Sequence, residues 1–133
     1  MPKLFLAFAS LSAFTAVLLG AFGAHYLKQQ LDASMLDAYQ TGVQYQFYHS
    51  LGLLLLGLLI LQLQPNHWLT AAGLLFIAGI VLFSGSLYCL SLTEMRILGP
   101  LPIGILTPVG GSAFMLGWLA MAAGVISQSP IAR

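Results

Sequence analysis

From Ala38 to Thr93 the chain runs 56 residues without one Asp, Glu, Lys or Arg. Soluble domains carry roughly a quarter charged residues, whereas four basic and three acidic side chains serve all 133 residues here. The solvent such a sequence suits is a bilayer. In hydrocarbon every backbone N–H and C=O must be satisfied inside the protein, which leaves helices or closed barrels. The apolar runs are continuous and lack the alternation of a barrel strand, so the fold class is an all-α membrane protein.

The seven charges divide the chain into uncharged blocks that can be counted in helices. Leu4 to Leu27, the 56-residue stretch, and Ile97 to Ala132 accommodate one, two and one spans at about 20 apolar residues each. Four transmembrane helices in a compact bundle, forming a single domain over residues 1–133, are expected at about 4–25, 43–63, 68–91 and 108–127. The first block is too long for the apolar core of a secretory signal, which runs about 7 to 15 residues. A formal net charge of +1 with no basic patch implies neither nucleic acid nor an anionic surface as partner. Cys89, the sole cysteine, reads as a small buried hydrophobe.

Breaks between spans have local causes. Gly23 and the polar His25, Tyr26 and Lys28 end the first helix. Ser34, three residues before Asp37, makes a capping-box-like start to a short interfacial helix in loop one, which runs through Gly42 into the second span. Pro65-Asn66-His67 makes a tight turn, and Trp68 anchors the third span at the interface. The segment from Ile97 to Pro108 is apolar but interrupted by Gly99, Pro100, Pro102, Gly104 and Pro108. It is expected to lie at the interface or to dip in as a re-entrant stretch, with Thr107 as N-cap and Pro108 at the first helical position of the fourth span.

Helices associate in lipid through close approach at small residues rather than through apolar burial. The fourth span carries Gly110, Ala113, Gly117, Ala120, Gly124 and Ser127 at spacings of 3, 4, 3, 4 and 3, one seam on one face. The first span has Ala9, Ala13, Ala16, Gly20 and Gly23. Polarity gathers toward the loop-one and loop-three side, in His25, Lys28, Asp32, Asp37, Gln44, Tyr48, His49, Ser84, Ser86, Tyr88, Glu94, Arg96 and Thr107. Intramembrane polar groups are costly and usually point into the bundle, which makes His25, Gln44, Tyr48, His49, Ser86 and Tyr88 the candidate ligand-binding residues.

His25 and His49 are expected at similar depth on adjacent helices, where one imidazole bonds the other, relays a proton, ligates a metal or haem, or only fixes packing. Two histidines without further ligands at metal spacing argue for no metal site. Glu94 and Arg96 read as a solvated or headgroup contact. The chain has no G-x-S-x-G, H-E-x-x-H, P-loop or dinucleotide fingerprint, so neither catalytic residues nor a cofactor are expected.

Four motifs in order resemble a known family. They are Gly20-Ala21-Phe22-Gly23-Ala24-His25 with Leu27-Lys28, the run from Thr41 to Leu51, Phe83-Ser84-Gly85-Ser86-Leu87-Tyr88, and Thr107-Pro108-Val109-Gly110-Gly111 with Gly117-Trp118. Together they cover nearly the whole chain, and they resemble the small membrane proteins of domain of unknown function 423, which include the eukaryotic transmembrane protein 256. The resemblance implies four helices and a bacterial inner-membrane location, and no mechanism. The residues themselves favour a non-enzymatic protein whose polar pocket takes a membrane lipid or other amphipathic molecule, or docks a membrane protein partner or second copy. Alternatives are a proton-coupled transporter or channel, and a haem- or metal-binding protein. Lys3 and Arg133 balance Lys28 and Arg96, with a lean toward cytoplasmic termini.

Overall fold

The computed structural model describes residues 1–64, 66–93 and 95–128. Four helices are long and apolar enough to cross a membrane: α1 (Pro2–Gln30), α2 (Ala33–Gln62), α3 (His67–Leu92) and α4 (Ile103–Ile126). A two-stranded antiparallel hairpin, β1 (Ile97–Leu98) and β2 (Leu101–Pro102), lies between α3 and α4. The expected turn at Pro65 and the contact assigned to Glu94 fall outside the described residues, as does Arg133.

Helix starts are set by specific side chains. Pro2 opens α1, where its missing N–H costs nothing. Asp32 has extended backbone and caps α2, its carboxylate accepting the Met35 N–H at 2.9 Å and the Ser34 hydroxyl at 3.0 Å. The cap is thus Asp32, not the Ser34–Asp37 pair, because its carboxylate stands at the position from which a side-chain oxygen reaches the third N–H of the helix. Asn66 caps α3 through the Trp68 N–H at 2.8 Å. Its amide also donates to the Gly124 carbonyl at 3.0 Å and the Ser127 hydroxyl at 2.8 Å, tying the start of α3 to the end of α4.

Two expectations about helix ends are corrected and one holds. The first helix does not stop near residue 25: Gly23–Leu27 form a π-turn, with the Lys28 N–H on the Gly23 carbonyl, and the helix continues to Gln30. Gly23 serves close packing there, since a Cβ would sit 2.5 Å from the Tyr39 ring. The helix that starts in loop one does run through Gly42 into the second span, as expected, making one unbroken helix of 30 residues. Thr107 does not cap the fourth span, which begins earlier with a 3-10 turn at Ile103–Ile105. Its hydroxyl instead pairs with Ser86 at 2.6 Å.

α1 packs chiefly on α2 and α4 on α3, while α2 and α3 join the two pairs. A core of Phe5, Ala9, Leu53, Leu56, Leu69, Ala72, Phe76, Phe114 and Met121 draws on all four helices. A second π-turn, Ile80–Ser84, interrupts α3. At its last residue the Ser84 hydroxyl donates to the Gly42 carbonyl on α2 at 2.6 Å.

Candidate functional site

The polar residues form three separate arrangements. The first is a buried node on the α1-facing side of α2. Gln46 donates from its amide to the Ser12 carbonyl at 3.0 Å and the Thr15 hydroxyl at 2.8 Å, while its carbonyl accepts from the Tyr88 hydroxyl at 2.7 Å. One turn on, the Ser50 hydroxyl lies 2.7 Å from that of Ser12. Tyr39 is fully buried and donates to the Leu19 carbonyl at 2.6 Å. Three helices are pinned by a single amide. Interhelical hydrogen bonds of this kind average about 0.6 kcal/mol in membrane proteins, so the node is worth about 1 to 2 kcal/mol as a unit.

The second arrangement surrounds His49, which is 5% exposed and faces α4. Its Nδ1 lies 2.7 Å from the Tyr45 carbonyl, and its Nε2 lies 3.1 Å from the Trp118 indole N–H. A carbonyl only accepts and an indole N–H only donates. These partners therefore assign the neutral tautomer with the proton on Nδ1. The ring stacks on Phe114 at a centroid distance of 3.5 Å and an interplanar angle of 11°, with Phe76 edge-on at 5.6 Å. Both ring nitrogens are engaged, so a metal or a relayed proton at Nε2 would first have to displace Trp118.

The third arrangement is on the outside. Gln44 and Tyr48 are exposed, one turn apart on α2. With Ala16, Val17, Gly20, Val43 and Phe47 they line a groove of about 270 Å³ between α1 and α2. The groove wall is apolar, and the small side of Gly20, 3.4 Å short of Val43 were it to carry a Cβ, leaves the opening.

These positions divide the candidates. Gln44 and Tyr48 share the groove. Tyr88 belongs to the Gln46 node and packs on Tyr39 at 5.4 Å, and buried Ser86 bonds the Phe83 carbonyl and Thr107 between α3 and α4. His25 is exposed on the π-turn, far from His49. The antiparallel register sets Gly23 beside Tyr39, Gly20 beside Val43 and Gly57 beside Leu6. His25 is therefore level with residues 37 to 38 of α2, about 17 Å from the level of His49 at 1.5 Å per residue. The expectation of similar depth fails because α2 continues well above the level at which the first helix was taken to end.

Among the packing residues, Gly110, Ala113, Gly117, Ala120 and Gly124 are buried on α4, and Gly23 on α1 is buried while Gly20 is half-buried. A Cβ on Gly110 would collide with the Phe83 backbone nitrogen, and one on Gly117 would come within 2.7 Å of the Phe76 ring.

Sequence reasoning named Gln46, Ser50 and Trp118 only within the family motifs, and passed over Ser12, Thr15 and Phe114. One signal was present: Gly42, Gln46, Ser50, Leu53 and Gly57 recur at helical spacing, and the glycines mark close approach on that face.

Comparison with known proteins locates the chain. Residues 19–111 match the family model described as protein of unknown function (DUF423). The UPF0382 membrane protein YwdK of Bacillus subtilis is 46% identical over 117 residues, 88% of this chain and 91% of that protein. SSP2132 of Staphylococcus saprophyticus, a UPF0382 membrane protein, is 44% identical over 123 residues, 92% of this chain and 96% of its own. The UPF0382 inner membrane protein YgdD of Escherichia coli K12 is 41% identical over 125 residues, 93% and 90% of the two chains. No solved structure matches the chain.

Proposed function

This chain belongs to the DUF423 family of membrane proteins, and on that footing we propose that it is a non-enzymatic protein that holds a membrane lipid, or another amphiphile with an acyl chain, in the groove between α1 and α2. The observation that carries this reading is the pair of exposed polar residues Gln44 and Tyr48 lining an apolar groove near the loop-one end of the spans. Polar groups facing hydrocarbon without a partner are costly. A lipid ester or glycerol oxygen beside them would supply that partner, while about 270 Å³ suits a length of acyl chain rather than a whole lipid.

Native mass spectrometry of the purified protein tests the reading. Wild type is expected to retain a lipid adduct that Gly20→Leu, which fills the groove, and Gln44→Leu combined with Tyr48→Phe both lose. Ala122→Leu, on the separate surface beside Trp118 and Met121, is expected to keep it. Equal adducts in all four proteins would reject the groove as the binding place.

The transport alternative draws no support from the geometry. Its path ran through His25 and His49, which lie 11 to 12 α2 residues apart in level and face different surroundings, and His49 has both nitrogens bonded.

A further inference from the structure

The hairpin between α3 and α4 is the most apolar surface feature outside the spans. Ile97, Leu98 and Leu101 are 64%, 59% and 52% exposed, and Met95 and Ile105 beside them are also exposed. Its two strands are bonded to each other, with no strand beyond either edge among the described residues. Ile97 pairs with Pro102 and Leu98 with Leu101, and the Ile103 N–H closes the base on the Arg96 carbonyl at 2.9 Å. Gly99 turns the chain with φ +60°, as the first central position of a two-residue hairpin turn of the II′ kind requires. The Arg96 guanidinium is folded back onto the Leu90 and Thr93 carbonyls at 3.1 and 2.9 Å, which fixes the hairpin to the end of α3.

Register fixes its level. Gly42 of α2 packs against Leu87 and Tyr88, and Gly110 of α4 against Phe83, so Leu92 at the end of α3 is level with about residue 37 of α2. Asp37 is the first charge encountered on leaving the 56-residue stretch. The hairpin base thus sits at the boundary between hydrocarbon and headgroups. Leu92, Ile105 and Val109, exposed on the adjoining helix surfaces, make its apolar side chains continuous with the lipid-facing wall of α3 and α4. A two-stranded ribbon exposed to water is marginally stable, and the headgroup region, unlike the hydrocarbon beneath it, supplies partners for the backbone groups on its two open edges.

We propose that the hairpin Ile97–Pro102 is a lipid-surface anchor, seated in the headgroup and upper acyl region of the leaflet on the loop-three side with Ile97, Leu98 and Leu101 inserted. The occupant of this face is the bilayer itself, and the anchor stands independently of the groove between α1 and α2.

Nitroxide labels on Leu98→Cys and, separately, Leu101→Cys, in a Cys89→Ala background and reconstituted in phosphatidylcholine–phosphatidylglycerol vesicles, decide the matter. Collision rates with oxygen, which concentrates in lipid, and with a water-soluble nickel chelate are compared with two references. Leu116→Cys lies on the lipid-facing side of α4 and Gln30→Cys at the exposed end of α1. Both hairpin labels are expected to collide with oxygen nearly as often as the Leu116 reference and to be several-fold protected from nickel relative to the Gln30 reference. Nickel collision equal to the Gln30 reference would overturn the anchor. Low collision with both reagents would overturn it too, since protein and not lipid would then cover the hairpin. Leu98 and Leu101 are both exposed, so labels there do not disturb the core, and far-UV circular dichroism checks that the helices persist.

Discussion

The two helix pairs of this bundle solve the same problem differently. α1 and α2 meet at two glycines, Gly23 against Tyr39 and Gly57 against Leu6, but between these they are joined by hydrogen bonds through Gln46, Ser12, Thr15, Ser50 and Tyr39. α3 and α4 are joined along most of their length by glycines meeting bulky groups: Gly79 with Phe114, Gly110 with Phe83, Gly117 with Phe76 and Gly124 with Leu69. Polar bonds occur there mainly at the two ends, between Ser86 and Thr107 and from Asn66 to Gly124 and Ser127. Hydrogen bonds are adjustable because a lost one is replaced in part by partners in the unfolded, still membrane-embedded helix. Steric fit has no such reserve, since a close-packed interior responds even to one added methyl group.

The sharpest way to break this contrast is Gly110→Ala. Its added Cβ meets backbone at Phe83, which cannot rotate aside, so a loss of about 3 kcal/mol is expected, at the upper end of overpacking costs. Reversible unfolding in bicelles measures it; a loss below that of any hydrogen-bond variant would remove the distinction between the pairs. Next in size is Gln46→Leu, expected to cost about 1 to 2 kcal/mol on interhelical bond energies. A double-mutant cycle with Tyr88→Phe should give a coupling of about 0.6 kcal/mol, and zero coupling would mean that the node is not a unit.

Gly20→Ala should be close to neutral in the same assay. Its Cβ meets Val43 at an ordinary 3.4 Å, and alanine's better helix propensity of about 1 kcal/mol offsets any small repacking. The smallest effect concerns Asp32 in loop one. Hydrogen bonds from the Met35 N–H and Ser34 hold its carboxyl below the usual carboxylate range. A lowered acid contributes stability above its unfolded value, and that contribution is lost as pH falls through the folded one. Acidification from pH 5 toward 3 should therefore fray only the first turn of α2, seen as faster amide exchange at Met35. Global unfolding over that window would show that the cap matters more than its exposure allows.

Much of the frame could be read from the residues. Charge spacing yields four spans, and the small residues from Gly110 to Gly124 trace the face of α4 that meets α3. The inward face of α2 was harder. Contrast between polar and apolar sides identifies a buried face in water, but lipid is as apolar as the core, so Gln44 and Gln46 look alike in sequence while one faces out and the other in. Depth was misjudged for His25 because a π-turn leaves no compositional mark, and Gly23 reads as a helix end when its purpose is room for Tyr39. Trp118 and Phe114 drew no notice as partners of His49, since aromatic residues in a span read first as lipid-facing bulk.

Those π-turns carry a consequence of their own. Each accommodates one residue more than the α-helical turn it replaces, and one residue is a rotation of about 100°. The helix on either side of Gly23–Leu27 is therefore out of phase with itself, as is α3 across Ile80–Ser84. Below its π-turn α1 addresses α2 and the core through Phe5, Ala9, Ser12 and Ala16; above it His25 and Lys28 are dialled outward. Closing that turn into an α-helix with the residue retained would swing the whole loop-one end around its axis, while deleting one residue there would close it and leave that end facing as it does, so the length of that short segment is as much a part of the design as its composition.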